Sequence, residues 1–425
     1  MLENSVELSN AAKGLFIKTD RFKTTLISYN FYLPLDKDRV AEFALLPFIL
    51  TTCGREYPDF CKLNYKLNKL YSASLSASAE KVGDYQLLKI GISVLDDKYA
   101  LDGEQLVSKA AELLNSLIFD PRVENGAFYD SDVEREKRKA IEHIRGEIAE
   151  KRLYAKKRTI EEMFKDDIYG VSKCGTEKQV LAITGASLYS AWCDMLKRAN
   201  LVVNVISNTL PQNIFEDVKS RLALIDRTAA ISILPSKPIK PVFATRRVLE
   251  NLDVAQGKLV MGFSAEIGTD LNCAAVFDVM CNLFGGAPHS RLFTNVREKM
   301  GLCYYCLSTG NRLKGYMLVE SGVEAENAKK AEFEIIRQLE VIKNGQFSDF
   351  EFESSKLSII NALNSYGDSQ DTIDGWYTVR CALTEPVSPE EYAEIISKVS
   401  DTDVKVIAKD IRLHTVYTLM PKGAQ

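Results

Sequence analysis

The sequence predicts an α+β protein built from two copies of one domain, and three observations predict it. Its 425 residues exceed what a single core of about 100–200 residues uses. An order of strand, helices, hairpin and helix met in the first half returns after roughly 200 residues, far above the period of a solenoid repeat. Between the two, ILPSKPIKPV places Pro235, Pro238 and Pro241 where all periodicity stops. That stretch divides the chain into an N-terminal domain at 1–230, a linker at 231–242 and a C-terminal domain at 243–425.

Residues 1–22 show little periodicity and read as an arm. TTLISYNFYL, from Thr24 to Leu33, alternates as a strand does. A helix follows from about Asp38 to Thr51 with Pro47 inside it, then a loop at Gly54 and Pro58 and a helix over Lys62 to Tyr71. Ala73–Glu80 and Tyr85–Val94 make an antiparallel hairpin turning at Gly83–Asp84, and a helix from Asp102 to Ile118 closes the block. One long charged helix is predicted from Asp132 to Phe164, with Ala140, Ile141, Ile144, Ile148 and Leu153 on one face. Its many charges read as a solvated face. A helix at Ser187–Ala199 then leads into the strand NLVVNVIS, Asn200–Ser207.

After the linker the order repeats. The strand KLVMGFSA and a helix from Leu271 to Leu283 mirror TLISYNFYL and its helix. A short helix from Ser290 to Lys299 leads into strands at Leu302–Thr309 and Tyr316–Gly322, and Ala325–Lys343 mirrors the helix that began at Asp102. SDFEFESSKLSIINAL mirrors SDVEREKRKAIEHI, and Val416–Met420 is the last strand.

A formal charge of −4 and a pI near 5.7 argue against general binding of nucleic acid, which needs a basic surface. The first twenty residues lack a basic stretch followed by an apolar one, so no export signal is expected, and no apolar run reaches the roughly 18 residues of a membrane span. Nine scattered cysteines suggest reduced thiols in a cytoplasm. Cys303 and Cys306 have CxxC spacing, but without a second pair they read as strand thiols.

The stretch that carries chemistry is FGGAPHSRLFTNVREKMGLCYYC, Phe284–Cys306. A Gly-Gly turn precedes a short helix bearing Arg297, Gly301 closes that helix, and Tyr304 opens a strand. By the residues alone, Arg297 pairs with Glu298 and Tyr304 packs beside Tyr305, or the two converge on a ligand. There is no GxGxxG, P-loop or GxSxG, which removes dinucleotide, NTPase and serine-hydrolase readings.

Gly285–Gly286, Ser290–Phe293, Arg297–Lys299, Gly301–Leu302 and Tyr304, in this order on a duplicated domain, resemble the insulinase-like M16 metallopeptidases, the inverzincins, in their short form. The resemblance runs from about Thr24 to Met420. It implies two related domains, each a mainly antiparallel sheet packed with helices, forming half of a clam-shell. Active members hold zinc with H-x-x-E-H on an early helix. Counting back from Gly54 and Tyr57–Pro58 places that motif on Leu45-Leu46-Pro47-Phe48-Ile49, so Leu45, Phe48 and Ile49 stand where ligands and base would be. The family's further glutamate falls on His143. The only histidines are His143, His289 and His414, so no i, i+4 pair exists and no metal is expected in this chain.

In the family, an arginine and a tyrosine of the C-terminal half hold substrate backbone and the oxyanion opposite the zinc. Arg297 and Tyr304 match that pair, and the resemblance gives Gly285 and Gly286 a place beside the peptide. The expectation is a non-catalytic subunit, inactive alone and cytoplasmic. Its heterodimer partner brings H-x-x-E-H and zinc, and peptide is the substrate. A different expectation is a pseudopeptidase acting as a structural or regulatory partner, which resemblance also links to 5-aminopentanol modification of elongation factor P.

Overall fold

The computed structural model describes residues 2–211, 213–268, 270–383 and 386–422. The first half begins with β1 (Leu2–Ser9), β2 (Ala12–Lys18), β3 (Thr24–Pro34), α1 (Val40–Leu50), α2 (Phe60–Lys69), β4 (Ser74–Val82), β5 (Tyr85–Leu95) and α3 (Leu106–Phe119). A short ribbon, β6 (Val123–Glu124) with β7 (Ala127–Phe128), precedes α4 (Asp130–Gly146) and α5 (Lys151–Met163). Then come α6 (Glu177–Ala182), α7 (Gly185–Arg198), β8 (Asn200–Ser207) and α8 (Ile214–Leu222). The second half holds β9 (Arg246–Leu252), β10 (Gly257–Ser264), α9 (Leu271–Cys281), β11 (Cys303–Asn311) and β12 (Tyr316–Val323). It ends with α10 (Ala328–Lys343), α11 (Asp349–Asn364), α12 (Gln370–Leu383), α13 (Pro389–Ser397), α14 (Asp401–Lys409) and β13 (Arg412–Pro421).

Two sheets carry the fold. One has the order β1-β2-β8-β3-β5-β4, the other β11-β12-β10-β13-β9. In the first, β2 runs parallel to β8 and the other neighbours are antiparallel; in the second, β9 runs parallel to β13 and the rest are antiparallel. The orders superpose strand for strand, β4-β5-β3-β8-β2 on β11-β12-β10-β13-β9, which is the duplication expressed in topology. β3 is central because residues Thr25 to Leu33 are all buried, as a strand covered on both faces requires.

The structure corrects the sequence reading in three places. Residues 1–22 are no arm: β1 and β2 form an antiparallel hairpin, with Ala11 in the left-handed region at its turn. The single charged helix at Asp132–Phe164 is two helices, broken between Gly146 and Lys151. Leu153 is 61% exposed, and the buried positions of α5 are Ala155, Thr159 and Met163. α8, β9, α12, α13 and α14 are further elements that the periodicity did not isolate.

Packing groups the chain into two compact units that do not follow the linear halves. One contains Met1–Ile144, Val171–Leu234 and Gly367–Ser388; the other contains Arg145–Gly170, Pro235–Tyr366 and Pro389–Gln425. Each half thus contributes one helix to the unit built on the other half's sheet. In the first unit, α12 is held by a buried polar layer: Asp374 accepts hydrogen bonds from Ser28 Oγ (2.8 Å) and Asn204 Nδ2 (2.6 Å) and is ion-paired with Lys89. Tyr32 Oη donates to the Thr378 carbonyl at 2.7 Å. In the second unit, α5 packs on β10 and β13. Buried Glu320 accepts from Arg152 Nε and Lys156 Nζ, each at 3.0 Å, while Tyr154 and Tyr417 both donate to Glu250. Gly262 leaves room for the helix, because a Cβ there would lie 2.1 Å from the Met163 sulfur.

Candidate functional site

In the first unit, α1 is apolar apart from Glu42 in its first turn. α4 presents Glu136, Lys139, Ala140 and His143 on one helical face, the i, i+3, i+4, i+7 pattern. Together with Ala41, Ala44, Leu45 and Phe48 they line a cavity of about 390 Å³. Leu45, Phe48 and His143 therefore line one cavity. Ile49 is buried in the core and does not line the cavity.

The residue that sequence reasoning passed over is Glu136. It is 3% exposed, and its carboxylate accepts from Arg135 Nε (3.0 Å), Lys139 Nζ (3.0 and 3.2 Å) and Thr52 Oγ1 (3.3 Å). Next to it, buried Asp132 takes Arg122 and Arg135, both at 2.9 Å, and the Cys53 thiol at 3.4 Å. Burial first, then the nearby Asp132 charge, pushes the Cys53 thiol up to about 11. Only its i, i+4 and i, i+7 spacing to Ala140 and His143 marked Glu136 in the sequence.

In the second unit, the Gly-Gly segment Asn282–Gly286 and the segment Leu292–Lys299 are wound as wider π-type turns. Gly285 is buried against β11: a Cβ would meet Ser308 N at 2.6 Å and Leu292 Cδ1 at 2.8 Å, so close backbone packing demands glycine there. Gly286 is exposed, with the Asn282 side chain against it. Ser290 Oγ accepts a long 3.5 Å bond from Phe293 N at the start of the helical turn. Arg291 is fixed by Glu351 at 2.9 Å and Gln338 at 3.0 Å, a structural role.

Arg297 lies in the last turn of that segment, its guanidinium over the Phe293 ring at 4.4 Å and its Nε 3.6 Å from Glu298. The pairing with Glu298 is thus real but long and partly solvated. Gly301 has φ +59° and lets the chain reverse, with its N–H on the Arg297 carbonyl and that of Leu302 on the Val296 carbonyl, both at 3.1 Å. The reversal feeds β11, an edge strand whose register slips at its start. Cys303 pairs with Val323 and Tyr305 with Gly322, leaving Tyr304 as the extra residue of a β-bulge. Tyr304 is 75% exposed, and its hydroxyl has no hydrogen-bond partner among the described residues. It does not pack as filler beside Tyr305, whose ring lies under Arg152 at 4.8 Å. Arg297 and Tyr304 make no hydrogen bond to each other; a helix end and a bulge present both to solvent.

A family profile described as "Peptidase M16 inactive domain" matches residues 182–359. A probable inactive metalloprotease, YmfF of Bacillus subtilis, is 30% identical over 423 residues, 99% of this chain and 98% of that one. The chain belongs to the M16 peptidase family. Among solved structures, a conserved protein from Enterococcus faecalis superposes with a TM-score of 0.90 at 24% identity over 99% of both chains. An M16 inactive domain from Pseudomonas fluorescens gives 0.78 at 16% identity, again over 99% of both.

Three of the four positions that the resemblance assigns to zinc chemistry carry hydrocarbon side chains, and the fourth, His143, carries an imidazole. Leu45, Phe48 and Ile49 offer no lone pair, and the carboxylate of Glu136 is already neutralised by Arg135 and Lys139. Among the described residues, no group of three or more His, Cys, Asp or Glu side chains could hold a metal ion. No helix among those residues is long and apolar enough to cross a membrane.

Proposed function

We propose that this chain is the non-catalytic subunit of a heterodimeric M16-type peptidase in the cytoplasm, with peptide as the bound substrate. The observation that carries the reading is the pair Arg297 and Tyr304: two hydrogen-bond donors at a helix end and a bulge, the phenol 75% exposed and the guanidinium held only by a long pairing with Glu298 and the Phe293 ring. A guanidinium and a phenol so placed are suited to a peptide carbonyl and to the charge that develops on it during attack. β11 and β4 are free sheet edges, open to backbone pairing by an extended peptide. The zinc and H-x-x-E-H belong to the partner subunit.

Reconstitution tests this. Alone, the chain should bind no stoichiometric zinc and cleave no peptide; mixed with a chain of similar size that carries H-x-x-E-H, it should give turnover. In that assembly Arg297→Ala and Tyr304→Phe should each lower turnover by about 10²-fold with assembly intact. Full turnover in both variants would leave a scaffold without a part in proteolysis.

A further inference from the structure

The bulge at Tyr304 has a second effect, on the two cysteines that flank it. In a regular strand, residues three apart point to opposite faces and their Cα atoms lie about 10 Å apart, too far for any bond between the side chains. Here Cys303 pairs with Val323 and Cys306 with Ser321, so four residues on β11 oppose only three on β12. Partner positions two apart share a face and are separated by about 6.8 Å, the upper limit of Cα distances bridged by disulfides. The bulge thus brings both thiols to one face and within reach of each other.

We propose that Cys303 and Cys306 form a redox-active dithiol that a peroxide converts to an intrachain disulfide. The two sulfurs are unequal in the way such chemistry needs. Cys303 is half-buried and lies on an edge strand, whereas Cys306 is buried behind it. The hydrogen bond from Cys306, and after it the Arg297 guanidinium, hold the Cys303 thiol below the usual range against the opposing effect of burial. The same bond and burial push Cys306 well up. Cys303 is therefore the attacking thiolate and Cys306 the resolving thiol.

In the first step the Cys303 sulfur takes one peroxide oxygen as the O–O bond breaks, giving a sulfenic acid and water. In the second, the Cys306 sulfur attacks that sulfur and expels its hydroxyl as a second water. Two thiols lose two electrons and two protons in all, and one peroxide becomes two waters. A dithiol reductant reverses the change by exchange. The bond closes around Tyr304 and fixes the bulge that presents it. Its effect on peptide rests on the function proposed above, but the thiol chemistry does not.

Cleavage after Lys299 and Arg312 releases both cysteines in one peptide, Met300–Arg312, with no other cysteine. The intact native protein is treated with hydrogen peroxide at a dose that half-oxidises exposed Cys61, and remaining thiols are then alkylated. The expected product is the Met300–Arg312 peptide without alkyl groups and lighter by two hydrogens, restored to double alkylation by dithiothreitol. In Cys306→Ser the oxidation should stop at a dimedone-reactive sulfenic acid on Cys303. A wild-type peptide that stays doubly alkylated when Cys61 has reacted would overturn the proposal, as would sulfinic acid on Cys303 with Cys306 still free.

Discussion

At the scale of single residues, the fold decides which polar groups are used internally and which are left for a ligand. Glu136 and Tyr304 are opposite cases. The carboxylate is surrounded by Arg135, Lys139 and Thr52, whereas the phenol is lifted out of its strand. Neither state is readable from the sequence, because a bulge is a property of pairing and a charge network is a property of helix rotation. His414 shows the same dependence and gives a pH signature. Burial, and secondarily the charge of Arg246, lower its pKa to about 4, so it is neutral when folded. The unfolded chain takes up that proton near pH 6.5, the ordinary histidine value. The contribution is complete above pH 6.5 and is lost as pH falls toward 4, because the unfolded state then binds the extra proton. Urea midpoints of wild type and His414→Gln, measured between about pH 7 and about pH 5, should converge on acidification. Parallel curves would contradict the buried neutral state.

At the scale of elements, the strands and helices that repeat were readable because each has a strong period of its own. β3 and β8 read as strands from TTLISYNFYL and NLVVNVIS alone. β1 did not, since LENSVELS is a mostly exposed edge strand in which Asn4 interrupts the alternation of Leu2, Val6 and Leu8. The α4–α5 break was hidden for another reason: the charged pattern continues through it, and only the assignment of the two helices to different compact units interrupts it. Both exchanged helices are fastened by carboxylates, with unequal consequences. Asp374→Ala leaves buried Ser28 and Asn204 and the mostly buried Lys89 without their shared acceptor, and should cost about 3–5 kcal/mol. Glu320→Gln leaves Arg152 and Lys156 with partial access to solvent and should cost about 1–2 kcal/mol. Denaturant midpoints at constant m-value test the ranking, and a larger loss at Glu320 would reverse it.

At the scale of the whole molecule, the linear division at the 231–242 linker and the packing division differ. The fragments 1–230 and 243–425, made separately, should lack cooperative unfolding transitions, and mixing them should restore one. A sharp transition in either fragment alone would show that its sheet does not need the other half's helix. The exchanged helices also set an order for synthesis. The last strand of the first sheet, β8, leaves the ribosome long before α12, whose Asp374 completes the layer on Ser28, Lys89 and Asn204. Until most of the second half has been translated, that face of the sheet stays open to water or to a chaperone, and the nascent chain passes most of its synthesis unable to close its own first sheet.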